Sequence, residues 1–308
     1  MQNDQVTIHI PATTANLGPG FDCLGLALDL WNTIHMEVSS HTQVTINGEG
    51  IHELPTTTDN LTYQAAAHIF VRTGQPIPPL SITSHNRIPL KRGLGSSAAA
   101  IVGGLLGANH ICGYPFSTHQ LLKEATHFEG HSDNVTAALI GGLQIVVTND
   151  DGVHAANVPL PKDLMIIVLI PEKPISTTEA RAILPSTISR EDAVHNISRV
   201  AMLVNALSGD RVGDLRLATE DRIHQPYRER LMPAMSNIFR AALDAGSLGV
   251  FLSGSGPTIM ALTRGKEMTI SYEMADAARR MNVPCKIEVT KPSIRGAYTT
   301  NINQEENI

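Results

Sequence analysis

Cysteine is scarce. Three residues, Cys23, Cys112 and Cys285, are scattered over 308 positions with no C-x-x-C pair. That excludes a disulfide-stapled scaffold and offers no structural zinc pattern; free thiols suit a reducing compartment. No apolar run approaches the ~20 residues that span a bilayer. The first residues, MQNDQVTIHI, lack the basic-then-apolar order of a secretory leader. Positive charge is also short: 23 Lys and Arg stand against 29 Asp and Glu, a formal net charge of −6, with a pI near 6.1. Neither a nucleic-acid face nor an anionic-membrane patch is expected from that balance. Aromatic residues make up only 4% of the chain, and neither Trp31 nor the 5 Tyr form an evident stacking platform. There is no internal repeat and no low-complexity tract. What is present is 42% hydrophobic and 17% charged, which excludes a disordered chain and suffices for a large core and two domains. The composition reads as that of a soluble cytoplasmic protein.

Val6, Ile8 and Ile10 alternate with Thr7 and His9, a period of two that predicts a strand ending at Pro11. The small and turn-forming residues ATTANLGPGFD follow. Residues 24–28, 33–38 and 44–46 read as strand material, then a Gly48-Glu49-Gly50 turn. Helical spacing over 60–73 is closed by Gly74. Residues 80–84 read as a strand, 98–106, 121–128 and 133–140 as helices, and 143–148 as a strand. The turn-rich stretch NDDGVHAANVPLPK marks a boundary between an N-terminal domain, 1–160, and a C-terminal domain, 161–308. Residues 164–170 form a continuous apolar strand. Helices are expected over 191–207, near 213–224 and over 234–245, and strands over 250–253 and 258–262 around the turn GSGP. A helix over 271–281, with Ser271 as N-cap, precedes a strand over 286–289. This order suggests an antiparallel sheet with helices on one side. The polar tail NINQEENI is expected to fray.

The most informative segment is Pro89-Leu90-Lys91-Arg92-Gly93-Leu94-Gly95-Ser96-Ser97-Ala98-Ala99. Gly93 and Gly95 permit unusual backbone angles and let N–H groups approach a ligand closely. Ser96 and Ser97 open an apolar helix, whose N-terminus offers unpaired N–H donors and partial positive charge. The segment is neither a Walker A loop nor a G-x-G-x-x-G fingerprint. On glycine spacing alone, a loop with a Ser N-cap is an equal reading. Gly103-Gly104, in mid-helix, costs roughly 1 kcal/mol per glycine against Ala and predicts close packing on another element.

The segment resembles the ATP-binding motif of the GHMP kinase superfamily, which includes galactokinase, mevalonate kinase and homoserine kinase. Three more motifs accompany it. Residues 11–22, PATTANLGPGFD, resemble the first motif in its homoserine kinase form, and residues 252–258, LSGSGPT, resemble the glycine-rich third motif. Glu129-Gly130-His131-Ser132-Asp133-Asn134 is similar to the H-x-D-N segment of homoserine kinases, where Pro is common in place of Ser132. The resemblance runs from about residue 6 to 300. It implies an α+β, two-domain GHMP kinase fold: an N-terminal domain with a left-handed β-α-β unit, then a ferredoxin-like C-terminal domain. It further implies ATP and Mg²⁺ as cofactors, direct phosphoryl transfer to the side-chain hydroxyl of L-homoserine on the route to threonine, and a homodimer.

Candidate residues fall into place around these motifs. Asn16 and Asp22 flank a Gly-Pro-Gly turn and suit local backbone capping; a carboxylate fixed there can instead pair with an ammonium, and the resemblance assigns both residues to the substrate pocket. His131, Asp133 and Asn134 can cap the short helix after them. H-x-D alone is a weak metal pair, and the resemblance puts these residues on the substrate, with Asn134 beside the reacting hydroxyl. No general base is assigned, because phosphoryl transfer relies mainly on positioning and charge stabilisation. Glu124 and Glu129 compete for the Mg²⁺-ligating glutamate that the resemblance implies. Glu129 is preferred, with Ser97 as hydroxyl ligand, so Asn134, Ser97 and Glu129 form the catalytic set. Arg181, within TTEARAILP, and Arg228, within HQPYRERLMP, are surface cations by default. The resemblance gives them the substrate carboxylate, which a guanidinium grips with two bonds. Arg230 is the alternative to Arg228, and Gly254 completes the substrate set.

Overall fold

The structure, a computed structural model, describes residues 4–300. The first sheet follows from strand alternation: Val6, Ile8, Ile10 and Ala12 are fully buried. The strand they define, β1 (Gln5–Asn16), does not stop at Pro11 as expected. Register shifts at Pro11/Ala12 and Ala15/Asn16 carry it onward, since a bulge is where a sheet tolerates a residue with no N–H to give. The stretch expected as a turn therefore becomes strand, and its end reaches the cleft. Antiparallel to it runs β2 (Gly20–Val38), which joins the two strands expected over 24–38 into one. After β3 (Gln43–Gly48), α1 (Leu61–Arg72) crosses to β4 (Leu80–Asn86), which pairs in parallel with β3. The Asn60 side chain accepts from the Thr62 N–H and caps α1. Three helices follow, α2 (Ser96–Ile111), α3 (Thr118–Glu129) and α4 (Asp133–Ile140), then the hairpin β5 (Leu143–Asn149) and β6 (Gly152–Val158).

The glycine pair of α2 is a packing device. A Cβ on Gly104 would stand 2.3 Å from the Thr62 carbonyl oxygen, and one on Gly103 would stand 2.4 Å from Ile34 Cδ1. Bare backbone at these two positions lets α2 lie against α1 and the sheet, as the sequence suggests.

The second sheet opens with β7 (Met165–Pro171), buried from Ile166 onward. Helices α5 (Thr177–Ala182), α6 (Arg190–Ser208), α7 (Leu215–Ala218) and α8 (Gln225–Arg228) come next, then α9 (Met235–Asp244), β8 (Gly249–Leu252), β9 (Ile259–Thr263), α10 (Glu267–Arg280) and β10 (Cys285–Thr290). The strands lie in the order β10-β7-β9-β8, all antiparallel. That is the fourth, first, third and second strand of a β-α-β-β-α-β run, the ferredoxin-like arrangement. Two local expectations change. The helix expected near 213–224 breaks up, because Asp221 accepts the N–H groups of Ile223, His224 and Gln225 and starts α8 anew. And α10 begins at Glu267, so Ser271 lies inside it with a buried Oγ that finds no partner among the described residues, rather than at its cap.

Helices α9 and α10 cover one face of the second sheet through Ile238, Ala242, Ile270 and Met274. Its other face, with Ile166, Val168, Phe251 and Met260, joins the same apolar core as Val6, Ile8 and the α2 residues Ile101 and Val102. One core therefore runs through both halves. Last, β11 (Tyr298–Thr300) returns to the first sheet and pairs antiparallel with β1, giving the order β11-β1-β2-β4-β3 with β5 on β2 and β6 on β5. Residues 301–308, the tail expected to fray, lie outside the described residues. No helix among the described residues is long and apolar enough to cross a membrane, and all three cysteines are free.

Candidate active site

The glycine-serine segment curls between β4 and α2 on positive φ angles at Lys91 (53°), Gly93 (73°) and Gly95 (70°). Both glycines are fixed by neighbours as well as by conformation. A Cβ on Gly93 would lie 2.2 Å from the Ser253 carbonyl oxygen, and one on Gly95 would lie 1.9 Å from Thr13 Oγ1. Backbone bonds lace the loop to the other two glycine-bearing motifs: the Thr13 N–H donates to Leu94 O at 3.1 Å, and the Gly254 N–H to Ala15 O at 3.1 Å. Ser253 Oγ adds bonds to Gly93 O at 2.5 Å and Thr14 Oγ1 at 2.8 Å. Three segments distant in sequence thus form one floor. Arg92 donates to the carbonyls of Leu90, Pro171 and Glu172, which ties the loop to the end of β7. Lys91 remains exposed, 3.9 Å from Glu53. Gly95 is the N-cap of α2 and supplies no side chain to cap it, so the first-turn donors face the cleft. Ala98 and Ala99, expected on the nucleotide, are buried in the core and are not among the residues lining the cleft.

A cavity of about 140 Å³ opens beside this floor, and Asn16, Asp22, His131, Asp133, Asn134, Arg181, Arg228 and Gly254 line it together with Ser97 and Glu129. Ser97 Oγ donates to Glu129 Oε2 at 2.7 Å. Burial pushes the Glu129 pKa up, with the Ser97 bond and nearby His131 opposing. Glu124 sits elsewhere. It is buried, takes His68 Nε2 at 2.6 Å and Arg72 at 3.1 Å, and so braces α3 against α1. Asn134 Oδ1 accepts the Thr13 hydroxyl at 2.8 Å, which orients its amide. Asp133 accepts the Asn134 N–H at 2.7 Å and stands 3.4 Å from His131 Nδ1; this carboxylate raises the His131 pKa against the effect of burial.

Asn16 holds a positive φ of 71°. Its Nδ2 donates to Gly254 O at 3.0 Å, while its Oδ1 accepts the Asp22 N–H at 3.0 Å. The Asp22 carboxylate receives two bonds from Arg181, at 3.0 and 2.7 Å. Two residues assigned to opposite ends of a substrate are therefore bonded to each other. Arg228, 3% exposed, donates from Nε to Ala180 O at 3.3 Å and from Nη1 to Gly254 O at 2.7 Å. Burial, then repulsion from Arg181, lowers its pKa to about 10. Both guanidinium carbons lie 5.6 Å from the Phe21 ring centroid, within cation–π range. Arg230 is exposed and outside the cavity.

Sequence reasoning passed over Thr13, Phe21 and His224, although all three stand inside the quoted motifs. It also passed over a second cavity, about 200 Å³, lined by Ile46, Leu54, Asn60, Leu61 and Leu90 and sharing Lys91, Ser96 and Ser97 with the first. Four separate segments build that pocket, so no local pattern announces it. Among the described residues no group of three or more His, Cys, Asp or Glu is arranged to hold a metal ion.

The GHMP kinases N terminal domain family matches residues 60–142, and the GHMP kinases C terminal family matches residues 202–280. Together with the two-sheet fold and the glycine-serine floor, these define a GHMP-type kinase. The chain is 44% identical to the homoserine kinase of Moorella thermoacetica, over 94% of this chain and 98% of that protein. It is 46% identical to the homoserine kinase of Synechocystis, over 83% and 85%. The crystal structure of homoserine kinase from Cytophaga hutchinsonii matches with a TM-score of 0.87 at 29% identity, over 97% and 98% of the two chains. The chain belongs to the homoserine kinase family. Phosphomevalonate kinase from Streptococcus pneumoniae, 15% identical with a TM-score of 0.70, shares the fold.

Proposed function

We infer that the protein transfers the γ-phosphoryl group of ATP to the side-chain hydroxyl of L-homoserine, giving O-phospho-L-homoserine and ADP. The observation that carries this reading is a cleft in which the Asp22 carboxylate, two guanidinium groups and an oriented primary amide lie beside the open N-terminus of α2. An amino-acid zwitterion matches the Asp22–Arg181 pair. Its ammonium goes to Asp22 and its carboxylate to Arg181 and Arg228, so charges are exchanged between partners and none is left buried alone. The Asn134 amide, held by Thr13, then fixes the direction of the hydroxyl.

The α2 N-terminus and the exposed Lys91 suit phosphate groups, and the second cavity, mainly apolar and sharing Ser96 and Ser97 with the first, suits the nucleotide base. The Ser97 and Glu129 oxygens, 2.7 Å apart, also fit Mg²⁺: metal–oxygen bonds of ~2.1 Å in an octahedron put neighbouring ligand oxygens ~3 Å apart. Bound there, the ion would offset the charge developing on the transferred group. Asp133 is buried and engaged with Asn134 and His131, and the reading requires no strong base. Free thiols and an acidic balance of charge agree with a cytoplasmic setting. Coupled ADP release over homoserine, serine, mevalonate and galactose tests the proposal. Homoserine is expected to be turned over fastest, and preference for mevalonate or galactose would overturn the assignment.

A further inference from the structure

We propose that His224 is a positioning residue, a neutral ring that ties the loop between β1 and β2 to Arg228 and fixes how that guanidinium meets the substrate carboxylate. The identity of the carboxylate rests on the homoserine reading; the tie rests on geometry alone. His224 is fully buried. Its Nε2 lies 2.7 Å from the Gly18 carbonyl oxygen, and its Nδ1 lies 3.0 Å from Arg228 Nη1. A carbonyl only accepts and a guanidinium only donates, so Nε2 must carry the proton and Nδ1 the lone pair. The two neighbours therefore select one tautomer of the neutral ring. A proton on Nδ1 would set two donors against each other, and in the doubly protonated ring two positive charges as well.

The charged groups facing the ring are Asp221, Arg228 and Asp22. Asp221 Oδ2 stands 3.6 Å from Nε2, but this carboxylate is already filled by the N–H groups of Ile223, His224 and Gln225 and by Asn196 Nδ2 at 2.7 Å. Burial dominates and, with Arg228, holds the His224 pKa down at about 4 against the pull of Asp221. The ring stays neutral across the physiological range.

What it holds is a loop that needs holding. Asn16, Leu17 and Asp22 are non-glycine residues at φ of 71°, 46° and 57°, and such backbone persists only when its surroundings over-determine it. Gly18 is closed in from the other side, since a Cβ there would stand 2.2 Å from the Thr219 carbonyl oxygen. The ring also packs on Phe21, centroids 5.4 Å apart, the residue under both guanidinium groups. One side chain thus joins the backbone of the ammonium-binding loop to the arginine of the carboxylate site. A purely packed histidine would need neither bond.

Three variants separate these roles: His224→Gln keeps a donor toward Gly18, His224→Asn keeps an acceptor toward Arg228, and His224→Leu keeps neither. The expected result is a rise in homoserine KM of at least tenfold in His224→Gln and more in His224→Leu, with a smaller rise in His224→Asn. The kcat and the KM for ATP should stay within twofold of wild type. An unchanged homoserine KM in folded His224→Gln, or a parallel rise in both KM values, would overturn the proposal. A second measurement needs no substrate and no variant to be active. In ¹⁵N-histidine NMR, the ring whose signals vanish in folded His224→Gln should keep a protonated Nε2 and a bare Nδ1 in the wild-type protein from pH 8 down to pH 5. Finding that ring cationic or in the other tautomer at pH 7 would overturn the proposal as well. If wild-type enzyme rejects homoserine while that ring is present, the functional reading fails and the tie stands.

Discussion

A half-exposed ion pair that must open to admit a ligand makes its two residues, Asp22 and Arg181, unusually easy to test. Asp22→Asn removes the charge that pairs with Arg181 and, on the homoserine reading, with the substrate ammonium. Wild-type enzyme is expected to favour homoserine over 4-hydroxybutyrate by at least about a hundredfold in kcat/KM, on the order of 3 kcal/mol. In Asp22→Asn that ratio should fall through loss of the homoserine rate, and equal rates on both alcohols in wild type would remove the amino-acid pocket from consideration. The two glutamates divide in the same manner. Glu129→Gln should weaken the Mg²⁺ dependence and lower kcat with little change in Tm. Glu124→Gln should leave kcat alone but cost about 1–2 kcal/mol of stability, because the buried carboxylate joins His68 and Arg72. Calorimetry and steady-state rates on the pair decide this, and reversal of the pattern would exchange their roles. The raised Glu129 pKa also has a sign: the folded state holds that proton more tightly than the unfolded chain does. Its contribution to stability is therefore lost as pH rises through the folded value, and the carboxylate is neutralised on acidification earlier than an ordinary glutamate. In the metal-free protein the Glu129 carboxyl should accordingly titrate above an ordinary glutamate, and the side-chain carboxyl ¹³C signal missing from Glu129→Gln checks it. Most of these residues were legible because contiguous motifs carry them. The choice between Glu124 and Glu129 was not, since five residues on a helix turn about 140° and only packing shows which face looks into the cleft. His224 was illegible for another reason: its meaning depends on Gly18, 206 residues away in the chain.

Among the helices, α2 owes its fit to two bare backbone positions, Gly103 and Gly104. Gly104→Ala sets a methyl group against the backbone of Thr62, which cannot rotate away. Overpacking of that kind costs roughly 1–3 kcal/mol, more than the ~1 kcal/mol that Ala returns in helix propensity, so the Tm should drop. At Gly103 the obstacle is the end of the Ile34 side chain; the same substitution should be much milder, and a greater loss there than at Gly104 would contradict the packing account. Gly95→Val should abolish ATP binding by two routes, blocking approach to the backbone and colliding with Thr13. The elements that were read well had strong edges, such as the Asn60 cap of α1. Those misread had misleading ones. Pro11 looks like a strand end until a bulge absorbs it. β6 buries only Val153 and Val158, too few to leave a period-two pattern. Lys266 is a poor N-cap, and the search for a better one leads to Ser271, four residues into α10.

Across the whole molecule the order of elements was enough to suggest an antiparallel second sheet, because hydrophobic runs and turns alternate cleanly after residue 164. The continuity of the core was not legible, since Phe251 and Met260 meet Val6 and Ile8 only in three dimensions. A consequence is that the two halves should not stand alone. Expressed separately, 1–160 and 161–308 would each expose an apolar face that the other covers, and circular dichroism should show neither melting cooperatively, whereas the intact chain should melt in one transition. A cooperative melt for either half would refute this. The pairing of β1 with β11 also sets a schedule. The first strand of the described residues is completed by the last. At about 5–20 residues per second, roughly 15–60 s pass between the two during translation. Until β11 arrives, the outer edge of β1 is an unpaired row of backbone donors and acceptors, a template for any passing strand.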